Sequence, residues 1–205
     1  MIHILGDLPR KCVVAFSGGV DSVAVADFLL RGKKEVELAF FHHGTEASNK
    51  AEDFCRSFSS NRRINLHVGR LSVGRDMNKS QEEFWRDMRY GFLESLGQPV
   101  ITAHHLDDAV ETWIFSSLHG NPKLIPRTRG KIIRPFLMTT KSELVSWCSR
   151  KGLAWCEDES NEDTRYMRNL IRHKIVPEAL KVNPGLRSVI KKKYLQGLTN
   201  EVKTT

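Results

Sequence analysis

The segment Ser17-Gly18-Gly19-Val20-Asp21-Ser22 has the composition of an anion cradle. Two adjacent glycines let the backbone turn sharply and leave several N–H groups unspent at a helix start, where the helix dipole also favours negative charge. Ser17 and Ser22 add hydroxyl donors. Neither G-x-x-x-x-G-K-[ST] nor G-x-G-x-x-G occurs, so the segment is neither a Walker loop nor a dinucleotide fingerprint. A carboxylate beside phosphate is repulsive unless a divalent cation stands between them, so Asp21 implies Mg²⁺. A bare Ser-Gly-Gly would read as a capped turn; the full hexapeptide after a buried strand reads as a phosphate site.

A second constellation is His104-His105-Leu106-Asp107-Asp108-Ala109-Val110-Glu111-Thr112. On a helix Asp108 and Glu111 are three apart and Asp107 and Glu111 four apart, so the carboxylates gather on one side. Such a cluster needs a cation near it: an amine, a metal or an arginine. Leu106, Val110, Trp113 and Ile114 share the opposite side and are expected to pack on a sheet.

The elements that position these residues follow from periodicity. Cys12–Phe16 reads as a buried strand, Val20–Leu30 as a helix stopped by Gly32, and Val36–Phe41 as a second strand. Glu46–Ser60 is a polar helix with Phe54 and Phe58 on one side, and Ile64–Val68 a third strand. Ser80 caps a helix to Leu96, with Glu83 placed for a capping box. Pro99–Ala103 is a fourth strand, His105–Leu118 a helix, 120–130 a loop and Ile132–Ile133 the start of a short strand. Thr140–Lys151 is a helix closed by Gly152, Glu157–Asp163 an acidic turn, and Asn169–Lys181 a helix that Pro177 kinks or restarts. Strands alternating with helices predict a doubly wound α/β fold with a parallel sheet, whose ligands bind beyond the carboxyl ends of the strands.

The 205 residues carry 32 Lys+Arg against 24 Asp+Glu, a formal +8, which points to an acidic partner and to nucleic acid first. With 40% hydrophobic and 27% charged residues the composition is that of a globular protein. No apolar run approaches the ~20 residues of a membrane span, and Met1–Arg10 does not read as a secretory signal. Cys12, Cys55, Cys148 and Cys156 form no C-x-x-C pair, which argues against a disulfide scaffold or closely paired metal ligands and reads as core thiols of a cytoplasmic protein.

The Ser17–Ser22 loop resembles the pyrophosphatase loop of the N-type ATP pyrophosphatases (the PP-loop superfamily, with an adenine nucleotide alpha hydrolase-like fold). The second constellation resembles the H-H-x-D-D-x-x-E-T signature of the tRNA(Ile)-lysidine synthetase family. Phe41-His42-His43-Gly44, Arg86-Asp87-Met88-Arg89-Tyr90, Ile133-Arg134-Pro135-Phe136-Leu137, and Glu157 to Asn161 with Arg168-Asn169-Leu170-Ile171-Arg172 resemble further motifs of that family in the same order. The resemblance spans about residues 12 to 181. Leu118–Leu124 departs from the family's Gly-rich loop at this point.

The resemblance implies an ATP-dependent ligase that adenylates the wobble cytidine of a CAU anticodon, releases pyrophosphate, and lets free lysine displace AMP. It implies ATP on Ser17, Gly18, Gly19, Val20, Asp21 and Ser22, flanked by Phe16 and His42. Mg²⁺ would sit on Asp21, and the lysine on Asp108 and Glu111. Arg86 and His104 would join Asp21 in catalysis, Arg86 facing the base or the α-phosphate and His104 accepting a proton. Arg89, Arg168, Arg172, Lys191, Lys192 and Lys193 would grip an isoleucine tRNA. The division expected is a nucleotide domain over 1–160 and a basic helical extension over 161–205, and a homodimer stays open. Two rivals are a tRNA 2-thiolase of the same superfamily and a non-catalytic tRNA-binding relative.

Overall fold

A computed structural model describes residues 1–71, 80–157 and 167–203. The 158–161 part of the expected acidic motif, the rest of that turn and Arg165 lie outside the described residues. A six-stranded sheet runs in the order β3-β2-β1-β4-β6-β5. Its strands are β1 (Lys11–Ala15), β2 (Glu35–His42), β3 (Leu66–Arg70), β4 (Val100–Ile101), β5 (Thr128–Arg129) and β6 (Ile132–Ile133). All pair in parallel except the edge strand β5, which folds back on β6 as a hairpin through Gly130 at φ +55°. This two-residue strand lies within the 120–130 segment expected to be loop.

The helices are α1 (Val20–Arg31), α2 (Glu46–Arg62), α3 (Gln81–Ser95), α4 (Leu106–Leu118), α5 (Lys141–Arg150), α6 (Met167–Leu170), α7 (Val176–Val182) and α8 (Leu186–Lys203). Alternation along β1 decides the layers. Cys12 and Val14 face a core shared with Val23, Leu29, Phe58, Phe136, Leu144 and Cys148, while Val13 faces Tyr90, Leu93, Val100 and Ile132 on the other side. Both sides of β1 are therefore covered, as a central parallel strand requires.

Three expectations are corrected. The third strand begins at Leu66 rather than Ile64. Arg63 takes a left-handed conformation (φ 54°) and Ile64 N donates to Ser59 O (3.0 Å), so Ile64 is spent closing α2. The fourth strand keeps only Val100 and Ile101 in its ladder, extended by bonds to Pro99 O and from Thr102 N. The apolar side of α4 does not lie on the sheet. Leu106, Ala109 and Val110 bury against Leu5, Leu137, Ile171, Val176, Ile190 and Tyr194, because the stripes of the C-terminal helices have that surface to cover.

Pro177 acts as expected of a residue without an N–H. An α-helix there would need a donor and would clash with the carbonyl of residue 173, and the chain instead widens into a π-helical turn over Ile171–Ile175 before α7. That turn faces the acidic side of α4. No described helix is long and apolar enough to cross a membrane.

Candidate functional site

The Ser17–Ser22 loop closes the C-terminal end of β1. Phe16 N donates to Ala39 O (2.8 Å), and Cys156 N donates to Gly18 O (2.9 Å), which pins the loop from two sides. Gly18 turns at φ +81°, and a Cβ on it would lie 3.0 Å from Phe54 Cδ1, so the turn requires glycine. Gly19 caps α1 without a side-chain bond, which leaves the N–H groups of the first turn for an outside acceptor. Ser22 Oγ donates to Gly19 O (2.9 Å) and lies 3.3 Å from Ser17 Oγ.

Asp21 joins this loop to the second constellation. Its Oδ2 lies 3.7 Å from His105 Nε2 and 3.5 Å from Lys141 Nζ. Its Oδ1 is buried without a hydrogen-bond partner among the described residues. Burial raises the Asp21 carboxyl, but His105 and Lys141 outweigh that and leave it below its ordinary value. An ionised oxygen with no donor facing it suits a hard cation, which takes one carboxylate and completes its shell from phosphate and water.

His105 is buried and caps α4. In the neutral ring Nδ1 accepts from Asp108 N (3.4 Å), and once protonated it faces Asp108 Oδ2 (3.6 Å) instead; Asp108 Oδ2 also accepts from His105 N (2.9 Å). Burial alone would lower the imidazole pKa. The charges of Asp108, Asp21 and Asp107 overcome it and push the value up to about 9 from 6.5. A buried imidazolium thus bridges the loop and the acidic helix start. Because the folded value exceeds the unfolded one, its contribution to stability is complete below pH 6.5 and is lost as pH rises through about 9. Urea unfolding should show a loss on the order of 2–3 kcal/mol between pH 6.5 and 9.5, and His105→Gln should flatten that slope. Parallel pH profiles for the two proteins would refute the bridge.

The carboxylates of α4 are spoken for in different ways. Asp107 accepts from Lys141 N (2.7 Å) and, through Oδ1, twice from Arg187 (2.9 and 2.7 Å). Asp108 divides itself between the cap and Arg172 Nη2 (3.3 Å). Glu111 holds Arg172 through Nε (2.6 Å) and Nη2 (3.1 Å). Burial raises the Glu111 carboxyl above its ordinary value, against the pull of Arg172. The cation that the sequence demanded beside this cluster is therefore an arginine, from the π-helical turn rather than from an open RNA-facing surface.

The other expected residues fall as follows. His104 Nδ1 bonds Thr102 Oγ1 (2.7 Å), and burial pushes its pKa down to about 4, so at pH 7 it is a neutral hydrogen-bonding group and a weak base. Phe16 is 1% exposed with its ring on Phe58, which leaves only its backbone for a ligand. His42 Nε2 meets Asn49 Oδ1 (2.9 Å) and its Nδ1 accepts from Gly44 N (3.0 Å), so both ring nitrogens are used inside the turn. Arg86 and Arg89 are exposed on α3 beside Tyr90, and Arg168 is exposed on α6. On α8, Lys192 is exposed, Lys191 half-buried, and Lys193 Nζ stands 4.7 Å from the Trp113 ring centroid. Burial pushes the thiols of Cys12, Cys55 and Cys148 up to about 11, 12 and 11, which leaves them inert at neutral pH.

Two further residues, Lys141 and Arg187, join the acidic helix start. Lys141 could have been found from its place as the first helical residue after the β6 strand end, the position where such sheets carry ligand groups. Arg187 pairs across 80 residues of sequence, and no local pattern announces it.

A protein-family model described as a PP-loop domain matches residues 4–179. Among curated proteins, the tRNA(Ile)-lysidine synthase of Vibrio parahaemolyticus is 34% identical over 198 residues, 89% of this chain and 45% of that protein. The tRNA(Ile)-lysidine synthase of Persephonella marina is 30% identical over 209 residues, 93% of this chain and 46% of that protein. The chain thus spans less than half the length of these relatives. Among solved structures, the U34-tRNA thiolase NcsA from Methanococcus maripaludis with its [4Fe-4S] cluster superposes with a TM-score of 0.73 at 17% identity, over 95% of this chain and 75% of that one. The NH3-dependent NAD synthetase from Campylobacter jejuni gives 0.52 at 15% identity, over 93% and 86%.

Proposed function

The chain belongs to the PP-loop domain family, and from that premise we propose that it carries the catalytic site of a tRNA(Ile)-lysidine synthase. The reaction is adenylation of a wobble cytidine in a CAU anticodon by ATP, followed by attack of free lysine with release of AMP. One observation carries this reading: His105 Nε2 stands 3.7 Å from Asp21 Oδ2, so the anion cradle and the acidic helix start adjoin.

In this reading the first-turn N–H groups of α1, with Ser17 and Ser22, hold the triphosphate. Lys141 lies beside Asp21 and adds positive charge where pyrophosphate leaves. Asp21 Oδ1 would hold Mg²⁺, which offsets charge on the departing pyrophosphate. Asp108 and Glu111 accept the lysine by its α-ammonium, since a carboxylate on the attacking amine would keep it protonated. Arg172 now fills that acidic pair, so the amino acid enters by sharing or displacing it. The basic helices over 167–203 supply an RNA-facing surface, and the anticodon base is turned out of its stack into the pocket.

The test is mass spectrometry of a CAU-anticodon isoleucine tRNA after incubation with protein, ATP, Mg²⁺ and isotope-labelled lysine. The expected product is a cytidine heavier by condensed lysine, with the label retained. Bound but unmodified tRNA would favour the non-catalytic rival, and a sulfur-for-oxygen mass change with a sulfur donor would favour the thiolase.

A further inference from the structure

Away from the acidic helix start, four arginines gather on one buried tyrosine. The guanidinium carbons of Arg86, Arg89 and Arg129 stand 5.6, 5.8 and 5.0 Å from the Tyr90 ring centroid. Arg134, 2% exposed, donates through Nη2 to the Tyr90 hydroxyl (3.1 Å) and through Nη1 to Pro126 O (2.8 Å). Its Nε is buried with no partner, and the Tyr90 hydroxyl accepts from Arg134 while its own proton meets no acceptor among the described residues.

Like charges do not collect without cause. Among the described residues no carboxylate lies within ion-pair distance of Arg86, Arg129 or Arg134, although a buried guanidinium ordinarily demands one. Arg86 and Arg129 are exposed above the Arg134–Tyr90 pair, so the cluster opens to solvent. It also adjoins the proposed reaction site: Thr102, whose Oγ1 bonds His104 Nδ1, donates its N–H to the carbonyl of Ile133, the residue before Arg134 (3.1 Å). The charges of Arg134 and Arg89 depress the His104 imidazole, while Asp108 acts on the same ring from the other side.

We propose that Arg86, Arg129 and the Arg134–Tyr90 pair form a seat for one phosphodiester of the RNA, the phosphate flanking the nucleotide turned into the pocket. The chemistry is that of a single phosphate. The planar guanidinium forks of the exposed Arg86 and Arg129 match its oxygens, and the buried Arg134–Tyr90 pair beneath them adds positive charge that the described residues do not neutralise. The seat rests on the proposed function for the identity of the RNA. It adds Arg129, Tyr90 and Arg134 to the residues that would hold it, and it fixes the register of the base to be modified.

The test uses the full chain, an anticodon stem-loop RNA, and the same RNA with one methylphosphonate at each position flanking the wobble cytidine. Arg129→Ala should weaken RNA binding about tenfold near 0.1 M salt and make the slope of log affinity against log salt shallower by about one. ATP affinity should not move. One methylphosphonate should weaken the wild-type complex by a similar factor and have no further effect on Arg129→Ala. Lys50→Ala, on exposed α2, should stay within about twofold of wild type, which separates a seat from a general loss of charge. Unchanged RNA affinity in Arg129→Ala, an effect on ATP or pyrophosphate in its place, or equal effects of Lys50→Ala would each overturn the seat. Wild-type protein that does not bind the stem-loop would overturn it as well. Wild-type protein that binds the RNA through Arg129 yet never attaches lysine would leave the seat standing and refute the proposed reaction.

Discussion

Asp21→Asn should lower RNA-dependent pyrophosphate release by about 10²–10³-fold while the protein stays folded. The expectation follows from how the two oxygens of Asp21 are used. Oδ2 faces His105 and Lys141, and Oδ1 has no hydrogen-bond partner among the described residues. Asparagine keeps the shape and removes the charge that would hold Mg²⁺ against the phosphates. The fold should survive because His105 retains Asp107 and Asp108 as counter-charges, with Nδ1 at 3.9 and 3.6 Å from them. ATP should still bind, since the N–H groups of the first turn of α1 do not depend on the carboxylate. The measurement is pyrophosphate release with saturating RNA, beside a thermal melt. Full activity in the variant would remove Asp21 from the chemistry.

The second large effect separates the two halves of the reaction. Glu111→Gln should raise the KM for lysine by about 10- to 100-fold and leave pyrophosphate release unchanged. Glu111 is the clean member of the acidic pair. Asp108 also caps α4, so its loss would disturb the helix start, whereas among the described residues the Glu111 carboxylate bonds Arg172 alone. Measuring AMP release against lysine concentration reads the second half alone. If both halves fall together, Glu111 supports the fold or the nucleotide rather than the amine. If neither moves, the lysine is held elsewhere.

Much of this site was legible before any coordinates. The Ser17–Ser22 loop and the His104–Thr112 constellation are local patterns, and each lies at the end of a strand whose apolar run was plain in the sequence. Backbone geometry there is short-range: Gly18 must turn, Gly19 must cap, and Ser80 and Thr140 cap their helices as their side chains require. The losses were of two kinds. Two-residue strands such as β5 carry no periodicity to read. Long-range pairing also has no local signature. The presence of a cation beside Asp108 and Glu111 followed from their spacing, but its source, Arg172 in a π-helical turn, followed only from the packing of the C-terminal helices on α4. The same packing explains why α4 left the sheet. His42 illustrates the converse: a residue conspicuous in a motif proves to have both ring nitrogens engaged within its own turn.

In the proposed reaction the loop at the end of β1 directs cleavage of ATP between its α and β phosphates, with the adenylyl group passing to an RNA bound beside it. Rapid-quench kinetics with ATP labelled in the α and γ phosphates test it most directly. The expected course is a burst of pyrophosphate that requires RNA and Mg²⁺ but not lysine, with AMP appearing only after lysine is added. Release of ADP and inorganic phosphate, or pyrophosphate formed at the same rate without RNA, would contradict it.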